Sequence, residues 1–170
     1  NPEMLKKMKQ AGVTAITYGL ESGSSKILKV IKKGITIDLA LKAIDMTKKV
    51  GIETTANFII GHPEETYEDA LMTIDLIKKV NADKINFNNA VPYPGTELYS
   101  WIEKNARFLI NVEDYLSLSH PGKHDTPFFE TDQFTKEQRI ELLRKGIISF
   151  RSKLIKTRVK EPLASIYAFM

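Results

Sequence analysis

The chain alternates three apolar, β-type runs with segments whose apolar residues recur at helical spacing. The runs are VTAITYGL (13–20), IETTANFII (52–60) and KINFNNAV (84–91). A strand that is followed by a helix and then by another strand usually pairs with it in parallel, through a right-handed crossover. The sequence therefore predicts an α/β fold built on a parallel sheet.

Each of the three runs ends in a glycine-bearing turn with carboxylate or hydroxyl side chains. These turns are GLESGSS at 19–25, IIGHPEET at 59–66 and VPYPGTEL at 91–98. The carboxyl ends of parallel strands meet at one edge of a sheet or barrel, and ligand sites lie there. We therefore expect the three turns to build one shared site.

The length and composition point to one domain or part of a larger one. The chain has 170 residues and begins at Asn1 rather than Met, and three parallel strands would leave open sheet edges, so we expect a piece of a longer protein. The absence of cysteine excludes disulfides and thiolate metal sites within the chain. No apolar run is long enough for a membrane span, and a cytoplasmic location is the expectation.

The pattern divides the chain into three parts. Residues 1–104 carry the strand and helix alternation, and residues 105–134 read as an irregular substrate-side loop. Residues 135–170 are predicted to form a C-terminal helical extension. Its predicted apolar seam, expected to pack on the sheet domain or on a missing neighbour, consists of Ile140, Leu143, Ile147, Phe150 and Leu154.

The C-terminal extension is also basic. Between Arg139 and Lys160 there are eight Lys and Arg residues and a single acid, Glu141. Such a segment suits a phosphate backbone or an acidic partner surface. It is equally typical of the solvated face of an amphipathic helix, which is the interpretation we favour.

Several residues in the turns allow two interpretations. Glu21 either contacts a ligand or pairs with a lysine, with Ser24 or Ser25 capping the next helix. Gly61 permits close backbone approach, whereas His62 suits acid–base chemistry or a structural role. Tyr93 could stack on a nucleobase, or its turn could simply start a helix.

A further pattern, HPGKHD, places two histidines at a spacing found in metal sites. His120 and His124 precede Asp125, but Pro121 and Gly122 indicate a loop rather than a helix. We do not favour a metal site there.

Taken in order, YGLESGS, ANFIIGHPEET and AVPYPGT resemble the second half of the catalytic domain of radical S-adenosylmethionine (radical SAM) enzymes. They are most similar to the branch that often carries a cobalamin-binding domain, which contains the anaerobic Mg-protoporphyrin ester cyclase-like proteins. The resemblance covers residues 2–100 and, more weakly, 128–142. It implies strands four to six of a partial (β/α)6 barrel followed by a helical extension.

The resemblance also implies S-adenosylmethionine contacts, all at strand ends. Glu21 and Ser22 would line the ribose or methionine end of S-adenosylmethionine. Ile59 and Gly61 would lie against its adenine, and Glu65 would support the turn that contains Gly61. The other expected contacts are the backbone near Val91, which would read the adenine edge, the ring of Tyr93, and Asn57, which stands where the family often has glycine.

The resemblance implies a [4Fe–4S] cluster, but the CxxxCxxC loop that holds it is absent. We therefore expect the cysteines on a missing N-terminal half, a small-molecule substrate, cobalamin as a further cofactor of the branch, and no turnover by the isolated chain. Three alternatives stay open: an RNA- or protein-modifying methylthiotransferase, a non-catalytic scaffold or partner subunit, and an unrelated β/α-barrel lyase. Nucleic acid is a conceivable but less favoured partner.

Overall fold

The computed structural model describes residues 1–118 and 126–158, with side chains described as far as residue 150. The motif with His120, His124 and Asp125 lies outside the described residues. In chain order the elements are α1 (Pro2–Gln10), β1 (Ala15–Glu21), α2 (Ser25–Val30), α3 (Ile37–Lys49), β2 (Glu53–Ile60), α4 (Tyr67–Lys79), β3 (Lys84–Asn89), α5 (Glu97–Asn105), β4 (Arg107–Phe108), α6 (Val112–Leu116), β5 (Phe129–Glu130) and α7 (Lys136–Arg158).

The first three strands form a parallel sheet in the order β1-β2-β3. This confirms the predicted alternation, and the strand bounds differ from the predicted runs by two residues or fewer. Three strands do not close a barrel in the described part of the chain. The register is continuous between β2 and β3, whereas the pairing of β1 shifts between Gly19 and Glu21.

One face of the sheet is apolar and covered by helices. Every second residue of β2 from Thr54 to Ile60 is buried, as alternation of side chains along a strand requires. These residues meet the apolar sides of α3 and α4, including Ile44, Ile74 and Ile77, in the main core. Burial of this face fixes the strand register, because a slip of one residue would expose it.

The other face of the sheet is polar and is exposed or half-exposed. Thr55, Asn57 and Ile59 of β2 lie on it, next to Asn86 and Asn88 of β3. The Asn86 side-chain amide donates a hydrogen bond of 2.9 Å to Asn57 Oδ1. We call this surface the inner face.

A second, smaller core lies beyond β3. Ile102 of α5 and Tyr115 of α6 pack there with Phe128 and Phe129. The strands β4 and β5 pair antiparallel, so the segment 105–134 contains local order in addition to its irregular stretches. The Tyr115 hydroxyl donates a hydrogen bond to the Pro92 carbonyl and thereby fastens this core to the third turn.

Helix α7 packs beside α4 on the apolar side of the sheet. Of the predicted seam, Leu143 and Phe150 pack in or against the main core, whereas the Leu154 side chain lies outside the described residues. Leu142 and Leu143 are buried, whereas Ile147 is exposed. A Cβ atom at Gly146 would lie 2.6 Å from Phe87 Cδ1 of β3, so the glycine allows the helix to approach the sheet. The predicted seam was wrong at Ile147 because a glycine forms the contact surface.

Among the described residues, no helix has both the length and the apolar character of a membrane span.

Candidate functional site

The three turns meet at one edge of the sheet. Glu21 pairs with Phe58, and Asn89 pairs with Ile60, so the last residues of all three strands are neighbours. The Ala90 backbone N–H donates to the Ile60 carbonyl at 2.8 Å, which carries the contact past the end of β3. The convergence predicted from the parallel order is therefore present.

At the end of β1, Glu21 forms an ion pair. Its Oε1 accepts a hydrogen bond of 2.7 Å from Lys33 Nζ, and its backbone has a left-handed φ of 62°. A Cβ atom at Gly19 would lie 2.3 Å from that carboxylate oxygen. Since Gly19 pairs with Asn57, the carboxylate folds back over the inner face. Of the two interpretations of Glu21, the ion pair with a lysine is observed, at a position that still borders the inner face.

The serines after β1 face the protein. The Ser22 hydroxyl is buried, lies 3.2 Å from Thr73 Oγ1 of α4, and accepts from the Ser24 backbone N–H at 3.1 Å. Ser24 caps α2 and donates to Asp69 Oδ1 at 2.7 Å. These contacts anchor the loop to helix α4, so the capping interpretation of Ser24 is confirmed.

Asp69 joins this loop to the second turn. Its other carboxylate oxygen accepts from Lys26 Nζ at 2.7 Å and from the Thr66 backbone N–H at 3.2 Å. Burial alone would raise the pKa of Asp69, but hydrogen bonds from Lys26, Ser24 and Thr66 outweigh it and lower that pKa. Thr66 and Asp69 also form a capping box at the start of α4.

At the end of β2, a buried carboxylate holds the turn. Glu65 Oε2 accepts hydrogen bonds from the backbone N–H groups of Gly61, at 2.5 Å, and His62, at 3.1 Å. Gly61 has a φ of 97°, a conformation that other residues rarely adopt. Burial raises the pKa of Glu65 to about 7, although both backbone hydrogen bonds and the charge of Arg139 oppose that rise.

His62 connects the ends of β1 and β2. The imidazole is buried, and burial lowers its pKa to about 4, against the charge of Glu21 and a hydrogen bond to the Glu21 backbone. A neutral imidazole packed in this way fits the structural interpretation of His62 better than an acid–base role at neutral pH.

Arg139 of α7 reaches the same turn, and our sequence analysis did not single it out. Its side chain is 1% exposed, its Nε donates to the Phe134 carbonyl at 3.3 Å, and its guanidinium carbon lies 4.4 Å from the centre of the Phe129 ring. Burial lowers its pKa to about 10. In the sequence Arg139 is one of many basic residues, and only its helical spacing to Leu142 and Leu143 hints at burial.

Three buried polar atoms near this turn have no hydrogen-bond partner within the described part of the chain. They are His62 Nε2, Glu65 Oε1 and Arg139 Nη2. Buried polar atoms are nearly always paired, so such a cluster calls for an explanation. All three belong to residues that border Gly61 or follow it in the turn.

At the end of β3, the turn offers backbone groups and one ring. Val91 is half-exposed and packs with Ile59 against the second core. Tyr93 is 47% exposed, and its carbonyl accepts from the hydroxyl of Thr96, the cap of α5. An aromatic ring with this exposure offers a surface on which a flat ligand could stack.

The shared edge presents several different kinds of group. It combines a glycine turn, a half-exposed apolar residue, an aromatic ring and a carboxylate on the inner face. No group of three or more His, Asp or Glu side chains that could hold a metal ion occurs among the described side chains of residues 1–118 and 126–150. The whole chain lacks cysteine, so none of its residues can ligate an iron–sulfur cluster through a thiolate.

Comparison with known proteins supports the resemblance seen in the turns. Residues 1–77 match the family model of the radical SAM superfamily. An uncharacterised methyltransferase from Pyrococcus horikoshii is 38% identical over 151 residues, which is 88% of this chain and 31% of that protein. A tRNA-2-methylthio-N(6)-dimethylallyladenosine synthase from Fusobacterium nucleatum is 46% identical over 66 residues, which is 38% of this chain and 15% of that protein.

A solved structure shows the same fold. Coproporphyrinogen III oxidase (HemN) from Escherichia coli, described as a radical SAM enzyme, superposes with a TM-score of 0.63 at 14% identity, over 90% of this chain and 30% of that one. The chain spans less than a third of the length of the curated relatives compared above. The predicted superfamily is confirmed, whereas the roles predicted for individual residues stay predictions.

Proposed function

Because the first 77 residues of this chain belong to the radical SAM superfamily, we propose that the chain forms the S-adenosylmethionine-contacting half of a radical SAM catalytic domain. In this proposal β1, β2 and β3 are strands four to six of a partial barrel, and the inner face lines its lumen. The observation that carries the proposal is the convergence of three glycine-bearing strand ends at one sheet edge.

The proposed ligand contacts follow the edge from β1 to β3. Glu21 and Asn57 lie on the inner face, where they would meet the ribose or methionine end. Ile59 and Gly61 would lie against adenine, with the Val91 backbone at its edge and Tyr93 above it. Glu65 would act through the turn that it holds. S-adenosylmethionine supplies a deoxyadenosyl radical in radical SAM enzymes, and the residues of this chain would bind and orient it.

The cluster ligands must come from outside this chain in our proposal, since it contains no cysteine. The natural partner is an N-terminal half-barrel that carries the cysteine triad and pairs with the edge of β1 that has no strand beside it among the described residues. We therefore propose that the chain alone binds S-adenosylmethionine without turning it over.

Methylation is the reaction class that we favour, because a relative that matches 88% of this chain carries a methyltransferase name. The small-molecule substrate is the one that the resemblance implies. Cobalamin, expected from the resemblance, belongs to this version of the proposal. The second candidate is methylthiolation of RNA, which the tRNA-modifying relative favours over a shorter part of the chain. A non-catalytic scaffold is the third, and the missing cysteines favour it.

Isothermal titration of the purified chain with S-adenosylmethionine tests the proposed site. We expect Glu21→Ala and Gly61→Val each to weaken binding at least about tenfold, as loss of one charge-assisted contact or of a close approach does. Retention of wild-type affinity by both variants would contradict the site assignment.

A matched control for each variant lies at the opposite edge of the sheet, where the strands begin. Glu53 forms an ion pair of 2.7 Å with Lys84, like that of Glu21 with Lys33, and Gly51 has a φ of 74°. Glu53→Ala and Gly51→Val should therefore keep wild-type affinity even where they lower stability. Weakening by the controls to the same extent would also contradict the assignment.

A further inference from the structure

Arg139 is a buried charge with an unusual environment. Its guanidinium lies between the rings of Phe129 and Phe134, with its central carbon 4.4 and 4.9 Å from the two ring centres. Such contacts stabilise a cation, but they do not satisfy all its hydrogen-bond donors. Burial of a charge is costly, and an apolar side chain could fill the same space. The position of the charge therefore requires a reason.

The guanidinium lies against the turn after β2. A Cβ atom at Gly61 would be 2.8 Å from Arg139 Nη1, so the absence of a side chain there admits the guanidinium. The backbone N–H of the same glycine donates to Glu65 Oε2 at 2.5 Å. Gly61 is thus held between a buried carboxylate on its N–H side and a buried cation on its Cα side.

The two charges act on each other within this arrangement. Glu65 Oε1 and Arg139 Nη2 have no hydrogen-bond partner within the described residues. The charge of Arg139 lowers the pKa of Glu65, and the charge of Glu65 raises that of Arg139. Two further charges act on this pair: the like charge of Asp69 raises the pKa of Glu65, and the charge of Glu130 raises that of Arg139. An opposite charge is worth most where water is excluded.

We propose that Arg139 is a positioning residue of the strand-end site, which places a positive charge beside the Glu65 carboxylate and holds the Gly61 turn in its binding conformation. Helix α7, which follows the second core in the chain, thereby becomes part of the support of the ligand site. The effect on ligand binding rests on the function proposed above, whereas the effect on the turn does not.

Hydrogen exchange of the ligand-free chain, measured at single amides by NMR, tests the effect on the turn. We expect Arg139→Met to accelerate exchange of the Gly61 and His62 amides at least about tenfold, because a protonated Glu65 accepts hydrogen bonds more weakly. The Ile44 amide of α3, in the main core, reports global opening and should change much less. Equal acceleration at all three amides would overturn the proposal.

Arg144 provides the matched control, since it is an exposed arginine on the same helix. Arg144→Met should leave all three amides unchanged. Arg139→Lys, which keeps the charge, should restore most of the protection. Should Arg139→Met not fold, Arg139→Gln removes the charge with a smaller change in polarity and carries the same comparison against Arg139→Lys.

A double-mutant cycle with S-adenosylmethionine tests the effect on binding. Arg139→Met should weaken binding about tenfold in the wild-type background but less than about twofold in Glu65→Gln, because the carboxylate is then gone. If the double variant instead weakens binding by the product of the two single effects, Arg139 and Glu65 are not coupled and the proposal is overturned. If the wild-type chain does not bind S-adenosylmethionine, the proposed function fails, and the exchange experiment still decides the role of Arg139.

Discussion

The first and second strand ends look alike in the sequence but are built differently. Both contain glycine, carboxylate and hydroxyl groups at the start of a helix. After β1, Glu21 is paired with a partly exposed lysine and the serines bind helix α4. After β2, Glu65 is buried, binds two backbone N–H groups and faces a charge from α7.

The difference shows that a carboxylate after a strand can serve two separate purposes. Glu21 lies over the inner face, where a ligand could replace or join its lysine at small cost. Glu65 has its Oε2 committed to two backbone N–H groups and shapes the turn. The first strand end is therefore suited to direct contact, and the second to presenting its backbone.

Substitutions of glycine give the largest expected changes in the free energy of unfolding. A Cβ atom at Gly23 would lie 2.3 Å from the Met72 carbonyl oxygen of α4, which cannot rotate away, so Gly23→Ala should cost about 3 kcal/mol. Gly61→Ala should cost about 2 kcal/mol, from left-handed strain and the contact with Arg139. Urea denaturation measures both free energies of unfolding.

Gly12 is the control for these two substitutions. Its φ is 90°, close to that of Gly61, but a Cβ atom there would meet nothing within 4 Å. Gly12→Ala isolates the cost of left-handed strain, on the order of 1 kcal/mol. A cost at Gly23 no larger than at Gly12 would show that the first loop is not fastened to α4 as tightly as the structure indicates.

The two carboxylates separate stability from binding. Glu65→Ala leaves the Gly61 and His62 N–H groups without an acceptor and should cost about 2 kcal/mol of unfolding free energy as well as ligand affinity. Glu21→Ala removes a partly exposed ion pair and should cost at most about 1 kcal/mol while lowering affinity. Paired urea and ligand titrations distinguish the two. If Glu65→Ala and Glu21→Ala lower stability equally, the two carboxylates do not have the different roles described above.

The pH dependence of stability offers a second contrast, because the titrations of two buried groups, Glu65 and His62, change stability in opposite directions. Glu65 has its pKa raised from 4.5 to about 7, so the stability that it contributes is present below pH 4.5 and is lost as the pH rises to about 7. His62 has its pKa lowered from 6.5 to about 4, so its contribution is present above pH 6.5 and is lost as the pH falls to about 4. The two slopes cancel between about pH 4.5 and 6.5.

Single substitutions should expose each slope. In Glu65→Gln, stability should rise with pH over this window by up to about 1.4 kcal/mol per unit, because the titration of His62 is no longer opposed by that of Glu65. In His62→Gln it should fall with rising pH by a similar amount. Urea midpoints at pH 4.5, 5.5 and 6.5 measure the slopes. Parallel profiles in the two variants would show that these groups do not carry opposite shifts.

The sequence predicted the arrangement of the strands and strand ends better than the contacts of the side chains at those ends. The parallel order, the strand limits and the convergence of the turns follow from apolar periodicity and from glycine, which are local signals. The burial of Arg139 was not predictable in the same way, because it depends on contacts with Gly61, 78 positions earlier in the chain. Likewise, the contact face predicted for α7 was wrong at Ile147, because the helix meets the sheet at Gly146, which an apolar pattern does not count.

The smallest expected effect concerns Ser22, for which the resemblance and the structure point to different roles. The resemblance implies a contact with S-adenosylmethionine, whereas the buried hydroxyl binds Thr73 and the Ser24 N–H. Ser22→Ala should therefore cost about 1 kcal/mol of stability and change ligand affinity less than about twofold. Thr73→Val, which removes the hydroxyl partner from α4, should give a similar stability loss. If Ser22→Ala instead weakens binding about tenfold at unchanged stability, the first strand end uses its serine as well as its carboxylate on the ligand, and its anchoring to α4 is secondary.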